Sequence, residues 1–287
     1  MSATSAASAL ASVVPRVDEV LERSLAAHRA DAVGLDPGGT EPVDEILRLV
    51  QAGGKRLRPA FCYWGFRAAG GVDDDVIWRV GAAIELLHTM ALIHDDVMDG
   101  DDERRGAPTI HARQAARAAE RGQREADRVG TGVAIVAGDL AAAFADDLLA
   151  TAGVAPERWP AVAARFQRMR LQLAVGAFLD ASGVGRDARA VAYLKGGAYT
   201  VEAPLLIGAA VGGADPRTED ALARYARPLG EAFQLLDDLA DGDAPQDASR
   251  EEALAKIARA SGALEGAAID TEPRDALRAL ADVVGTL

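Results

Sequence analysis

The chain has 287 residues, of which 49% are hydrophobic but only 5% aromatic, and its formal net charge is −13. That charge argues against nucleic acid or an anionic membrane surface as a partner, and a polyanionic ligand would need a local basic patch and metal help. The single cysteine, Cys62, excludes an intrachain disulfide framework, fits a reducing cytoplasm, and lies in an apolar run that points to core packing.

Alanine and leucine dominate, which favours close-packed helices over sheet. Residues 1–14 are rich in Ala and Ser and have neither a basic start nor a long apolar core. They read as a flexible tail and not as a signal peptide. No apolar run is long enough to span a membrane without a charge or a polar break. Val17 to Ala32 is an amphipathic helix that ends before a Gly/Pro/Asp loop at 34–41. Pro42 to Gln51 follows, stopped by Gly53-Gly54, and then Pro59 to Ala69, closed by Gly70-Gly71. Asp73 or Asp74 caps a long helix through Ile84 and Leu92. Asp101 to Pro108 is a polar loop. Gly130 to Ala150 is apolar nearly all round and reads as a buried central helix. Pro160 to Ser182, Arg189 to Val211 and Asp220 to Leu239 are further helices, and Ser249 to Ala260 and Arg274 to Val284 finish the chain. No alternating strand pattern or repeat interrupts them. The pattern predicts one all-α domain over residues 1–287 with a central cavity.

Two aspartate clusters carry the chemistry. The first is Asp95-Asp96-Val97-Met98-Asp99, with Arg104-Arg105-Gly106 shortly after it, and the second is Asp237-Asp238-Leu239-Ala240-Asp241. On a helix the outer aspartates of each DDxxD share a face, while Asp96 and Asp238 point about 100° away and rank lower as direct ligands. Facing clusters of carboxylates need cations between them. Oxygen-only ligands select hard cations, and Mg²⁺ completes its shell with water and phosphate oxygens. The clusters therefore predict a Mg²⁺–diphosphate site. Only three lysines occur, and two of them, Lys55 and Lys195, adjoin glycine pairs, where a compact charge suits a phosphate. Lys256 and His28 read as surface groups, and His94 and His111 as structural ones. Asp139 reads as a buried hydrogen-bonding group or a group near the metals. The acids at 73–75 and 146–147 read as caps or a solvated face.

These motifs, with GGKRLRP at 53–59, RRGAPTIH at 104–111, AGD at 137–139, Lys195 with Tyr199-Thr200, and FQLLDDLAD at 233–241, resemble those of trans-type isoprenyl diphosphate synthases, the polyprenyl synthetase family. The resemblance runs from about Gly53 to Asp241. It implies ten or more helices around a cavity, a homodimer, and Mg²⁺-dependent head-to-tail condensation of isopentenyl diphosphate with an allylic diphosphate. It assigns Asp95, Asp96, Asp99, Asp237, Asp238 and Asp241 to the metal ions and Arg104 to the allylic diphosphate. Lys55, Arg58, His88 and Arg105 bind isopentenyl diphosphate in this scheme, and Lys195 and Gln234 flank the allylic site. His88 also lies two helical turns before Asp95. Ala91, Met90 and Leu87 lie four, five and eight residues before Asp95, where the product tail would grow. Farnesyl-making members often carry aromatic residues just before the motif. The small Ala91 therefore points to geranylgeranyl diphosphate, with farnesyl diphosphate as the runner-up.

The chain departs from the family in three places. Gly196 stands where members usually carry Thr or Ser, and Ala177 where they carry Gln ahead of the aspartate matched by Asp180, itself a candidate near the metals. The stretch from Asp180 to Lys195 and the join after Asp241 are short, as in a truncated member or a sequence from which flexible segments are missing. A terpene cyclase-like enzyme would not need the second diphosphate pocket that GGKRLRP and Arg105 provide. A non-catalytic subunit of a heteromeric synthase could lose metal ligands, yet both DDxxD motifs are intact.

Overall fold

The computed structural model describes residues 8–72, 74–185, 187–242, 244–245 and 247–287. Helices α1 (Val14–Leu35), α2 (Glu41–Gln51), α3 (Leu57–Ala68) and α4 (Asp75–Asp99) come first, with a single 3₁₀ turn, Pro37–Thr40, between α1 and α2. Two short strands, β1 (Glu103–Arg104) and β2 (Ala107–Pro108), precede α5 (Ile110–Glu120), α6 (Ala126–Ala150) and α7 (Trp159–Ser182). The chain then passes through α8 (Ala188–Ala192), a π-helical segment (Tyr193–Glu202), α9 (Ala203–Gly212), α10 (Pro216–Asp241), α11 (Arg250–Ala263) and α12 (Thr271–Val284). The all-α class expected from composition is the class observed.

The chain divides into two compact units. The larger comprises Met1–Pro15, Arg56–Gly81 and Ala152–Leu287, and the smaller Arg16–Lys55 and Ala82–Thr151. In the larger unit α9 packs on α3, and small residues make the approach close. A Cβ on Gly65 would meet the carbonyl of Leu205, and one on Gly208 the carbonyl of Cys62. Tyr63 stacks on Trp78 with ring centroids 4.6 Å apart. Cys62 is fully buried, and burial pushes its thiol up, as a core role requires. In the smaller unit α5 packs on α6, and α2 also lies on α6. The buried carboxylate of Glu45 ties α2 to α5. It accepts hydrogen bonds from Arg113, from Gln114 at 2.7 Å and from Arg48 at 2.9 Å. A buried charge so surrounded avoids the penalty of an unpaired one.

Several expectations need correction. The segment 8–14 is not a free tail: Ala9 and Val13 are buried, and Trp64 Nε1 donates to the Ala9 carbonyl at 3.0 Å. Residues 1–7 lie outside the described residues. The helix expected over Arg189 to Val211 is three successive pieces. The polar loop expected over 101–108 contains a short hairpin, Glu103–Arg104 paired with Ala107–Pro108. Helix α10 starts at Pro216, before the expected Asp220, because Asp215 caps it, its Oδ1 accepting from Thr218 N at 2.8 Å. Asp73 lies outside the described residues, while Asp74 Oδ1 accepts from Val76 N at 3.4 Å near the start of α4. By length and composition α4 could cross a membrane, with mean hydropathy 1.5, but 67% of that stretch is buried within the fold, as for a core helix.

Candidate active site

In the smaller unit, the first aspartate cluster occupies the C-terminal turn of α4. Asp96 is 3% exposed, Asp95 is half-buried and Asp99 is exposed. The chain leaves α4 through Gly100 and forms the β1–β2 hairpin, in which Glu103 pairs with Pro108 and Arg104 with Ala107. Arg105 and Gly106 form the turn, with φ of 55° and 75°. Two left-handed residues between two paired strands match a type I′ turn, whose twist suits a hairpin. Gly106 meets this at no steric cost, and Arg105 is held in an uncommon conformation for its type.

The hairpin sends the two arginines to different anchors. Arg104 Nε donates to Asp96 Oδ1 at 2.5 Å. Burial raises the Asp96 carboxyl above its ordinary range, although Arg104 pulls it down. The Arg105 guanidinium donates to the Gly53 carbonyl, which ties the Gly53-Gly54-Lys55 loop to the turn. Lys55 itself is exposed, and His88 is half-buried on α4. His94 packs where a Cβ on Gly138 of α6 would stand, with Nε2 3.4 Å from the Ile135 carbonyl. The AGD segment thus includes a notch for His94, beside Asp95. Asp139 is exposed, which removes the buried-hydrogen-bond reading. His28 is no surface group. It stacks on Phe144 at 3.9 Å with its side chain 17% exposed, and its Nε2 lies 3.6 Å from Asp147.

In the larger unit, the second cluster ends α10. Asp237 and Asp241 are exposed and Asp238 is half-buried. Gln234 Nε2 donates to Asp238 Oδ1 at 2.6 Å. The π-helical segment packs along α10 and carries Lys195, whose Nζ lies 2.7 Å from Asp180 Oδ2 of α7. Widened turns of this kind recur at functional sites. Arg58 lies over the Tyr199 ring at 4.3 Å and donates to Thr200 Oγ1 at 2.8 Å, while its Nε is buried with no hydrogen-bond partner among the described residues. A cavity of about 220 Å³ is lined by Tyr193, Arg227, Glu231, Gln234, Asp238 and Lys256 among others. Lys256, expected to be a solvated surface group, is instead part-buried there and bonded to Glu231 at 2.8 Å.

Sequence reasoning missed the contact of Gln234 with Asp238, although Gly230, Gln234 and Asp238 follow at intervals of four, one face of a helix. Among the described residues no three His, Cys, Asp or Glu side chains converge into a ready metal-binding group. The donor set still fits Mg²⁺, because every assigned ligand is a hard carboxylate oxygen, and the outer aspartates of each motif, apart from half-buried Asp95, are exposed.

An all-α fold with an aspartate cluster at the C-terminal end of each of two long helices, and cationic side chains near each cluster, is the combination the sequence motifs led one to expect. The chain belongs to the polyprenyl synthetase family, whose sequence profile matches residues 41–257. It is 34% identical over 69% of its length to a geranylgeranyl pyrophosphate synthase of Catharanthus roseus chloroplasts, and spans 55% of that protein. It is 33% identical over 87% of its length to the geranylgeranyl diphosphate synthase of Methanosarcina mazei, of which it spans 72%. A crystal structure of geranylgeranyl pyrophosphate synthase from Corynebacterium glutamicum, complexed with isoprenyl diphosphate and magnesium, superposes with a TM-score of 0.85 at 26% identity, covering 94% of this chain and 97% of that one.

Proposed function

We propose that the protein is a trans-prenyltransferase that joins isopentenyl diphosphate to an allylic diphosphate, head to tail and with Mg²⁺, and that its main product is geranylgeranyl diphosphate. The observation that carries this reading is that the hairpin sends Arg104, at the end of β1, to Asp96 and Arg105, in the turn, to the Gly53 carbonyl, so that two adjacent cations have two different stations. A reaction between two diphosphates needs two such stations.

In this reading Asp95, Asp99, Asp237 and Asp241 hold Mg²⁺, with Asp96 and Asp238 oriented beside them. When bound, Mg²⁺ would stabilise charge on a departing diphosphate as a Lewis acid and template. Arg104 and Lys195 add fixed positive charge at the allylic diphosphate, and fixed charge in a dry site favours the expelled anion over the intact ester. Lys55, Arg58, His88 and Arg105 hold the isopentenyl diphosphate so that its alkene meets the allylic carbon. The alkene forms the new C–C bond as the allylic C–O bond breaks, and a proton then leaves for the released diphosphate. No side-chain nucleophile is required, and the cationic carbon calls for surroundings that keep water away. The protein acts as a homodimer in the cytoplasm in this proposal.

The test is an assay of the purified chain alone with isopentenyl diphosphate and each allylic primer, with Mg²⁺ or with EDTA. Geranylgeranyl diphosphate formed only with Mg²⁺ is the expected result. Mainly farnesyl diphosphate would shift the product assignment, cyclised hydrocarbon would point to a cyclase, and no turnover would leave a subunit that needs a partner.

A further inference from the structure

Helix α10 turns one face, with Gly230, Gln234 and Asp238 at successive turns, toward the π-helical segment. Gly197 and Gly230 meet there, and a Cβ on either would run into the carbonyl of the other. One turn further along, a Cβ on Gly196 would coincide with Gln234 Oε1, and the three nearest atoms to it all belong to the Gln234 amide. The amide Nε2 donates to Asp238 Oδ1 at 2.6 Å. Ionised carboxylate oxygens only accept, so this contact sets which end of the amide faces Gly196.

We propose that Gly196 and Gln234 form one positioning device for Asp238. The missing side chain at 196 leaves room for the Gln234 carboxamide, and the carboxamide fixes the orientation of the Asp238 carboxylate toward Mg²⁺–diphosphate. The inference rests on the prenyltransferase reading, but concerns groups that this reading does not order. Gln234 acts here through Asp238, and Gly196 acts through Gln234. Partners that orient a metal-binding group commonly change metal affinity by about 10–100-fold when removed.

The experiment compares wild type with Gly196→Ala, Gln234→Ala and the double variant. Two measurements are made on each: the Mg²⁺ concentration at which inorganic diphosphate raises the melting temperature, which needs no turnover, and the Mg²⁺ half-saturation and isopentenyl diphosphate KM in the condensation assay. The methyl group of Gly196→Ala meets only the end of a flexible side chain, so its melting temperature without ligand should stay near wild type. Gly197→Ala presses on backbone and should lower it. Each single variant should need about tenfold more Mg²⁺, and the double variant about the same tenfold, because both changes break one device. The KM for isopentenyl diphosphate should not move. A roughly hundredfold requirement in the double variant, or a wild-type requirement in Gly196→Ala, overturns the proposal. So does a loss of ligand-free stability in Gly196→Ala as large as that in Gly197→Ala, since the notch would then be packing alone. If wild type binds Mg²⁺–diphosphate with this pattern but condenses nothing, the prenyltransferase reading fails and the positioning device stands.

Discussion

Arg104 and Arg105 are neighbours in sequence, yet one is held by the Asp96 carboxylate and the other by the Gly53 carbonyl. Arg104→Ala should mainly damage use of the allylic substrate, and Arg105→Ala should mainly raise the KM for isopentenyl diphosphate. Each loses a charge-assisted contact worth about 1.5–3 kcal/mol. Steady-state kinetics with each substrate varied in turn checks this, and identical defects would refute the split. Asp96→Asn removes the charge that holds Arg104 and should behave like a milder Arg104→Ala, with a smaller change in Mg²⁺ requirement than Asp99→Asn. Metal titration of both variants decides it. Glu231 gives a pH prediction. Burial would raise its carboxyl, but Lys256 and Arg227 bring it below its ordinary range. Such a group gives stability that is complete above the ordinary carboxylate range and is lost as pH falls through the lower, folded-state value. Glu231→Gln should be less stable than wild type at neutral pH by about 1 kcal/mol or less, since the pair is partly exposed. That gap should narrow in acid. Urea denaturation at neutral pH and near pH 3 compares the two, and a gap independent of pH would mean that packing, not charge, is lost.

At the scale of elements, the long helices were legible because capping and apolar spacing act locally. Helix α4 and the α10 cluster run where their patterns place them, and the outer aspartates of the second motif stand exposed. The π-helical segment was not legible, because one extra residue per turn leaves almost no trace in composition, and Lys195-Gly196-Gly197 reads equally well in an α-helix. The hairpin at 103–108 was too short for an alternating pattern, and only Gly106 hinted at it. The placements of Lys256 and His28 depend on which distant helix covers them, which local sequence does not encode. Helix α4 also carries a prediction. Met90 and Ala91 are half-exposed, whereas Leu87 is fully buried and spent on the core. Chain length should therefore respond to the first two. Ala91→Phe should shorten the product, and Met90→Ala should lengthen it or give a mixture, since methionine is bulky but pliable. Chromatography of the products checks this; unchanged length in both variants would place the floor on another helix.

For the whole molecule, the net charge of −13 and the exposed carboxylates at both motifs imply that cation and anion bind together. Mg²⁺ with a diphosphate analogue should raise the melting temperature clearly more than either alone. At a hundred times its dissociation constant a ligand adds about 2.7 kcal/mol, on the order of 5–10 °C for a chain of this size. Equal stabilisation by the analogue without Mg²⁺ would sink this coupling.

The division into units has a consequence for heredity. The units are built from five stretches of chain, so the polypeptide passes from one to the other at four points, 15/16, 55/56, 81/82 and 151/152. The first of these falls inside α1 and the third inside α4, and neither is in a loop. Neither unit corresponds to one continuous piece of gene. A single crossover or exon shuffle cannot exchange one aspartate cluster's unit while sparing the other. During synthesis, the smaller unit has all its residues once Thr151 emerges, while the larger waits for the C-terminal helices. Truncations from the 3′ end of the gene should therefore strike the Asp237 unit first, while the residues of the Asp95 unit stay complete until the truncation reaches Thr151.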